Sequence, residues 1–170
     1  LCISGNMELV NTKRKNDLLI KELEFIPNHD VLTGIPNRRY LLHEVKTLNE
    51  YVVAIFDVDD FKKINDTYGH EIGDRILCRM VKRVLSVLLK DTYFARWGGE
   101  EFLIVFPNKS IPVVQDIMER VVNIVSENIF AFDKHSVAVS ITAGVADSNE
   151  AESFEDAINK ADARLYYGKQ

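Results

Sequence analysis

Two clusters of acidic residues stand out in the 170-residue chain, because each lies at one end of an apolar run. Asp57-Val58-Asp59-Asp60 ends the run that starts at Tyr51, and Gly98-Gly99-Glu100-Glu101 precedes another. Carboxylates beside buried strands are costly unless a cation neutralises them. Mg²⁺ takes one or two carboxylates together with substrate phosphates. We therefore expect a metal and phosphate site where the two clusters, Asp59 included, come together, rather than two solvated acidic turns.

Basic and polar residues near these clusters fit phosphate and purine chemistry. Lys62 follows the first cluster and can stabilise negative charge that develops on a phosphate, and Arg96 stands just before the second. Asn65 and Asp74 together can read the edge of guanine, since a carboxylate accepts from its N–H groups and an amide both donates and accepts. His70, between them, is either a further contact or an ordinary residue at the start of a helix.

The apolar patterns predict the elements that carry these residues. The continuous apolar run from Tyr51 to Asp57 predicts a strand buried on both faces. A four-residue spacing predicts a helix from His70 to Leu89, and another helix is expected from Ile111 to Phe130. Gly98-Gly99 joins two short strands as a hairpin, and its lack of side chains also lets a ligand approach the backbone closely.

Three further signals complete the order of elements. Asn37 is expected to cap a helix, alternation from Val137 to Thr142 predicts a strand, and Ser153-x-x-Asp156 predicts a capped final helix. The order is a helix, then β-α-β-β-α-β, then a helix. It predicts an α+β fold with a ferredoxin-like or palm-like βαββαβ core, in which helices flank an antiparallel-containing sheet. Many activities use this fold, so the function has to come from the site.

Composition excludes several classes of protein. With 46% hydrophobic and 28% charged residues, the chain is not disordered, and its length fits one domain with a sizeable core. The net charge of −5 argues against a broad basic surface for nucleic acid, so no nucleic-acid partner is expected. The apolar runs are far shorter than the roughly 18 residues of a membrane span. No direct membrane contact of this chain is expected.

The first residues predict a helix of a different kind. The stretch from Asn6 to Ile26 is charge-rich and only weakly periodic, and Pro27-Asn28 then breaks the pattern. It is either a solvated helix packed on the domain or the last part of a signalling helix, and the break favours the second. The chain begins with Leu and shows no signal peptide. We expect a cytoplasmic fragment of a longer protein, and a membrane anchor farther upstream stays open.

Five spaced motifs resemble the GGDEF domain of diguanylate cyclases, in its GGEEF form. The resemblance covers residues 29–170 and leaves residues 1–28 as a linker or signalling helix. In chain order the motifs are Asp30-x-Leu32-Thr33-x-x-x-Asn37-Arg38-Arg39, Phe56-Asp57-x-Asp59-x-Phe61-Lys62-x-x-Asn65-Asp66, Gly69-His70-x-x-Gly73-Asp74, Gly98-Gly99-Glu100-Glu101-Phe102 and Lys160-Ala161-Asp162 with Leu165-Tyr166.

The resemblance implies an activity and its parts. Two GTP are condensed into cyclic di-GMP with release of pyrophosphate, and two domains face each other as a homodimer. Asp57, Glu100 and the backbone carbonyl of Val58 would hold Mg²⁺, with Mn²⁺ as the alternative ion. Glu101 would serve as a metal ligand or as the proton acceptor for the ribose 3′-hydroxyl. An upstream sensory domain in the same polypeptide is the expected regulatory partner.

The resemblance also implies the contacts to GTP. Lys62 and Lys169 would contact phosphate, and the backbone of Gly98 and Gly99 would lie near the ribose and phosphates. The residues implied to surround the guanine base are Asn65, Asp74 and, nearby, His70.

Two departures from the family pattern carry expectations of their own. Leu89 and Thr92 stand where many members have the arginine and aspartate of an Arg-x-x-Asp product-inhibition site. We therefore expect no feedback inhibition through that site. The chain also stops at Gln170, before the Gly-Arg-Asn stretch whose arginine helps to bind phosphate in the family.

Two alternatives to an active cyclase stay open. One is a degenerate domain that binds GTP or an effector as a regulatory module, although such domains usually lose the signature acids that are present here. The other is a mononucleotide cyclase on a related palm-like fold. The product formed from labelled GTP distinguishes all three.

Overall fold

The computed structural model describes residues 2–25 and 28–168. Two short 3₁₀ helices, Val45–Thr47 and Ser148–Glu150, accompany the main elements. The main elements are, in chain order, α1 Cys2–Phe25, α2 Arg38–Glu44, β1 Tyr51–Val58, α3 Phe61–Tyr68, α4 His70–Val87, β2 Tyr93–Arg96, β3 Glu101–Pro107, α5 Ile111–Ser126, β4 Phe130–Phe132, β5 His135–Val137, β6 Ile141–Asp147 and α6 Phe154–Gly168.

The central sheet has four strands in the order β2-β3-β1-β6, and every neighbouring pair is antiparallel. β1 lies in the interior of the sheet, between β3 and β6. This order, with helices in the connections, is that of the split βαβ plan. The predicted ferredoxin-like or palm-like fold is confirmed.

Side chains of β1 are buried on both faces of the sheet, as the apolar run predicts. Val52, Ala54 and Phe56 belong to a larger core formed with α4, α5 and the β4–β5 hairpin. Val53 and Ile55 belong to a smaller core formed with α2 and α6. The strand that ends in the acidic cluster is therefore held on all sides, and the position of Asp57 at its end is well defined.

The helical region after β1 differs from the expectation of one helix starting at His70. A separate eight-residue helix, α3, precedes it and carries Lys62 and Asn65. Gly69 joins the two helices with φ 87° and ψ 157°, a backbone conformation that is essentially limited to glycine. The break between α3 and α4 follows from this residue.

The predicted bounds near residue 130 are wrong in two places. The helix expected to reach Phe130 ends at Ser126, and Phe130 instead begins the small β4–β5 hairpin. The strand expected from Val137 to Thr142 is two strands, since β5 ends at Val137 and β6 begins at Ile141. The second error arises because alternating apolar residues run through a short irregular stretch, residues 138–140, without a change of pattern.

The N-terminal helix α1 does not bury a face along its described side chains. Residues 9–20 are all exposed, including Leu9, Leu18 and Ile20. This stretch is therefore not packed on the domain. In the part of the chain that the structure describes, no helix is both long and apolar enough to cross a membrane.

Candidate active site

The two acidic clusters meet at one edge of the sheet. In the antiparallel register of β1 and β3, Asp57 lies directly opposite Glu101. The backbone N–H of Val58 donates to the carbonyl oxygen of Glu100 at 3.3 Å. Residues separated by more than forty positions in sequence are thus brought together by strand pairing alone.

The donors at this edge fit Mg²⁺. Asp57, Glu100 and Glu101 are half-buried, and the Oδ1 atom of Asp57 is fully buried. Within residues 2–25 and 28–168, no group of three or more His, Cys, Asp or Glu is arranged to hold a metal ion by itself. Mg²⁺ does not need such a cage, because it is commonly bound by one or two carboxylates together with water and substrate phosphates.

The hairpin that carries the glycine pair is closed by short-range hydrogen bonds. The N–H of Trp97 donates to the carbonyl of Glu101 at 2.9 Å, and Gly98 and Glu101 exchange N–H to carbonyl bonds at 3.3 Å. Gly98 is half-buried and Gly99 is exposed. Gly98 therefore lies beside Glu101. Because it has no side chain, the backbone of the turn stays accessible at this position.

Arg96 does not serve as the phosphate-facing cation that its place beside the cluster suggested. Its guanidinium donates to both carboxylate oxygens of Asp30 at 3.0 Å and to the carbonyl of Gly99 at 3.0 and 2.7 Å. Asp30 also accepts from the N–H and hydroxyl of Thr33 at 2.8 and 2.6 Å. Burial opposes ionisation of Asp30, but the bonds from Thr33 and Arg96 outweigh it and lower the pKa of its carboxyl. Arg96 therefore fastens the hairpin tip to the segment before α2.

Asp59 also has a different place from the one expected. Its carboxylate accepts from the hydroxyls of Ser140 and Thr142, each at 2.7 Å, and its N–H donates to the carbonyl of Ser140 at 2.9 Å. Asp59 thus ties the end of β1 to the beginning of β6. It is a structural carboxylate.

The expected base-reading residues lie around the turn between α3 and α4. Asn65 is on α3, and His70 and Asp74 are exposed on the first turns of α4. The Oδ1 atom of Asn65 is buried and has no hydrogen-bond partner within the described residues. It lies against Gly73, where an added Cβ would come within 1.9 Å of it. A buried acceptor without a partner is costly unless water or a ligand supplies a donor.

Other expected residues have less defined surroundings. Lys62 is exposed in the first turn of α3, next to the end of β1. Lys169 lies outside the described residues. Asp74 borders a cavity of about 340 Å³, whereas a groove of about 880 Å³ between α5, β6 and α6 is lined by none of the expected site residues. The site is defined by its chemistry and not by the size of a pocket.

Sequence reasoning missed the residues that hold this site together. The Asp30–Arg96 ion pair and the contacts of Ser140 and Thr142 to Asp59 join distant parts of the chain. The close approach of Gly73 to Asn65 joins two neighbouring helices. Asp30 and Gly73 belong to the motifs that resemble the family, which was the available signal for them. Ser140 and Thr142 gave none beyond their place near a strand.

Comparisons with known proteins point to one family. A family model described as "Diguanylate cyclase, GGDEF domain" matches residues 27–170. Diguanylate cyclase DgcM of Escherichia coli K12 is 31% identical over 160 residues, which are 89% of this chain and 38% of that protein. Response regulator PleD of Caulobacter vibrioides is 32% identical over 174 residues, which cover 94% of this chain and 38% of that protein. This chain thus spans well under half of either relative.

A solved structure shows the same fold. The coiled coil and GGDEF domain of DgcB from Caulobacter crescentus, in complex with c-di-GMP, superposes with a TM-score of 0.83 at 26% identity. The match covers 98% of this chain and 94% of that one. Because the match covers nearly the whole of both chains, the likeness extends beyond the sheet and its acidic edge.

Proposed function

The chain belongs to the GGDEF family of diguanylate cyclase domains, and from this premise we propose that it condenses two GTP into cyclic di-GMP and two pyrophosphates. One observation carries the proposal: the strand register sets Asp57 opposite Glu101 at the open end of β1. In each half-reaction a ribose 3′-oxygen bonds to the α-phosphorus of the other GTP, and the bond to pyrophosphate breaks. The reaction therefore needs an acceptor for the hydroxyl proton and positive charge at the phosphates.

The acidic edge supplies both the proton acceptor and the ligands for a metal ion. Asp57, Glu100 and the carbonyl of Val58 would hold Mg²⁺, or Mn²⁺ as the alternative. When bound, the ion would lower the pKa of the 3′-hydroxyl and offset charge on the α-phosphate. Glu101 takes the hydroxyl proton or shares in ion binding, and its place opposite Asp57 supports either role.

The phosphates and the base are bound by separate elements. Lys62 stabilises phosphate charge from the first turn of α3. The backbone of Gly98 and Gly99 packs near the ribose and phosphates, and Lys169 provides a second phosphate contact. The residues proposed to bind guanine are Asn65, Asp74 and His70, with the buried Oδ1 of Asn65 as an acceptor for a guanine N–H.

The product contains two nucleotides, so the active unit is a homodimer in which each domain brings one GTP. We assign residues 1–28 to a linker that connects the domain to a sensory domain in the same polypeptide, and residues 29–170 to the catalytic domain. The exposed side chains of residues 9–20 support a connecting role for α1, since they are not used to pack the domain.

The test is the product formed from labelled GTP and Mg²⁺, separated by chromatography over a range of protein concentrations. We expect cyclic di-GMP. Glu101→Gln and Asp57→Asn should each lower its rate by at least about 100-fold, the scale of a lost general base or metal ligand. Glu127→Gln serves as the control, because Glu127 is an exposed acid that is not among the proposed site residues. It should leave the rate unchanged.

Each other outcome overturns the proposal in a specific way. GTP binding without any product at concentrations where the chain is dimeric would indicate a regulatory module. A cyclic mononucleotide would indicate a mononucleotide cyclase. Full activity of Glu101→Gln would remove the assigned role of the acidic edge.

A further inference from the structure

The residues assigned to guanine lie on two helices that a single glycine connects. Asn65 is one turn from the end of α3, and Asp74 is on the second turn of α4. Gly69 between them has a φ of 87°, which glycine adopts without steric cost and which sets α4 off from α3. The separation of Asn65 and Asp74 therefore depends on the angle between the two helices, and something has to fix that angle.

The β4–β5 hairpin contacts the chain on both sides of this glycine. On the α3 side, the ring of Tyr68 meets the ring of His135 edge to face, with centroids 5.5 Å apart and planes at 70°. On the α4 side, the guanidinium of Arg75 lies 4.7 Å from the ring centroid of Phe132. Arg75 directly follows Asp74 in the sequence. One small hairpin thus bridges the last residue of α3 and the first turns of α4.

Two further arginines of α4 hold the hairpin in place. Arg79 lies over the ring of Phe132 at 4.1 Å and donates to the carbonyl of Ala131 at 2.5 Å. Arg83 lies over the ring of Phe130 at 3.7 Å and donates to two carbonyl oxygens just before β4, at 2.6 and 3.2 Å. Like charges four residues apart on a helix repel each other. The carbonyl oxygens and ring faces of the hairpin offset that repulsion.

We propose that the β4–β5 hairpin positions the guanine subsite, with His135 and Arg75 as its positioning residues. The inference rests on the proposed function, because that function places guanine at Asn65 and Asp74. Neither His135 nor Arg75 needs to touch the nucleotide. They fix the angle between α3 and α4 so that the amide of Asn65 and the carboxylate of Asp74 meet the same base.

The experiment compares His135→Ala with the conservative His135→Phe in this chain. The steady-state kinetics of cyclic dinucleotide formation are measured with GTP and with ITP, which lacks the 2-amino group of guanine, and GTP binding is measured by calorimetry. Loss of the ring contact should raise the KM for GTP about three- to tenfold, the scale of one aromatic pair, with kcat unchanged. The preference for GTP over ITP should fall by a similar factor. His135→Phe should restore both.

Lys134→Ala is the matched control, since Lys134 is an exposed neighbour in the same hairpin turn. It should behave like the wild type. Should His135→Ala fail to fold, Tyr68→Leu removes the same ring contact from its other partner, and the same results are expected. Thermal unfolding of each variant is recorded beside the kinetics.

Two results would overturn the inference. One is a wild-type KM and a wild-type GTP preference in both His135→Ala and Tyr68→Leu. The other is a loss of kcat and thermal stability together, without any change in GTP preference and without recovery in His135→Phe, which is the behaviour of a purely structural hairpin. A wild-type chain that forms no cyclic di-GMP would instead overturn the proposed function. GTP binding by the variants would then still test the hairpin.

Discussion

At the scale of single residues, the candidate site depends on how closely two helices approach at Gly73. The space that a Cβ at this position would take is already filled by the Oδ1 of Asn65, at 1.9 Å, with the ring of Phe61 at 3.3 Å. An amide at the end of a side chain can move, whereas Phe61 belongs to the buried core. The residue that must yield to a larger side chain is therefore the one assigned to guanine.

Gly73→Ala should weaken GTP binding while leaving the fold intact. The methyl group displaces the amide of Asn65, and one lost hydrogen bond lowers the affinity by roughly three- to tenfold. Thermal stability should change little, because alanine favours a helix interior by about 1 kcal/mol over glycine and offsets the cost of moving Asn65. Calorimetry with GTP and thermal unfolding measure the two effects.

A double substitution separates this mechanism from general damage to α4. If Gly73→Ala acts only through Asn65, then Gly73→Ala combined with Asn65→Ala should bind GTP no more weakly than Asn65→Ala alone. Additive losses, or wild-type affinity in the single Gly73→Ala variant, would contradict the assigned contact.

Residue types and spacing were sufficient to predict the acidic residues that strand pairing brings together, but not the groups that support them. Asp57 and Glu101 are visible because charged residues interrupt apolar runs, and strand pairing then brings them together. The ion pair of Asp30 with Arg96 joins positions 66 residues apart. No local pattern indicates such a pair, and Arg96 therefore suggested a phosphate contact until its partners were known.

At the scale of elements, the long and strongly patterned segments were predictable and the short ones were not. β1 and α4 have many buried residues in a regular period, so their existence follows from the sequence. β4 and β5 have three residues each, too few for a period to appear. Phe130 and Phe132 are buried in the larger core, and Arg79 and Arg83 of α4 lie over their rings. Contacts with a helix that is distant in sequence cannot be seen in the hairpin's own residues.

The connection from β6 to α6 contains an ion pair between Glu150 and Arg164. This pair should affect the pH dependence of the free energy of unfolding. Arg164 donates to both carboxylate oxygens of Glu150 at 2.6 Å and to the carbonyl of Val145, and Glu150 also accepts from the N–H of Asp147 at 2.8 Å. The bond from Arg164, followed by that from Asp147, lowers the pKa of Glu150 to about 2. The charged carboxylate is therefore favoured by the folded state.

Glu150→Gln should make the folded chain less sensitive to acid. Because the folded-state pKa is depressed, the contribution of Glu150 is complete above its ordinary value of 4.5 and is lost as the pH falls from there towards about 2. The side chains of Arg164 and Glu150 are 47% and 36% exposed, so solvent screens the pair and the effect is modest. Urea unfolding from pH 7 to pH 3 should show a shallower decline for the variant than for the wild type.

Glu127→Gln, which removes an exposed charge without this network, is the control and should retain the wild-type slope. Added salt should reduce the difference between the wild type and Glu150→Gln, since the pair is near the surface. Parallel curves of unfolding free energy against pH for all three proteins would show that the Glu150–Arg164 pair contributes nothing to stability.

At the scale of the whole molecule, one edge of the sheet carries the candidate site and the two faces carry the hydrophobic cores. The end of β1 gathers the acidic residues, the larger core on one face supports α4 and the hairpin, and the smaller core on the other face supports α2 and α6. The overall order of strands followed from the sequence because it depends on the order of long elements. The surface between α4, β2 and the segment before α2 depends on side-chain identity, and it includes Leu89 and Thr92.

The surface at the positions expected for an Arg-x-x-Asp motif is lined mostly by apolar residues, with Lys90 and Thr92 among them. Leu89 is 40% exposed, and it lines a groove of about 430 Å³ together with Leu85, Leu88 and Tyr93. The hydroxyl of Thr92 donates to the carbonyl of Leu89 at 2.6 Å. Asp91, one position away from the motif, is paired with Lys109 at 2.9 Å. An anionic dinucleotide would find no guanidinium at position 89 and no available carboxylate at position 92.

We therefore expect the molecule to lack product inhibition at this surface. Bidentate contacts from arginine are what hold phosphate and guanine groups strongly, and leucine cannot make them. Calorimetry with dimeric cyclic di-GMP should show no tight binding to the wild-type chain, and its activity should not fall as product accumulates. Leu89→Arg combined with Thr92→Asp rebuilds the motif on the same backbone and should create both binding and inhibition. Tight binding by the wild type that Leu89→Glu abolishes would contradict the expectation, because it would place a product site on this groove without the arginine.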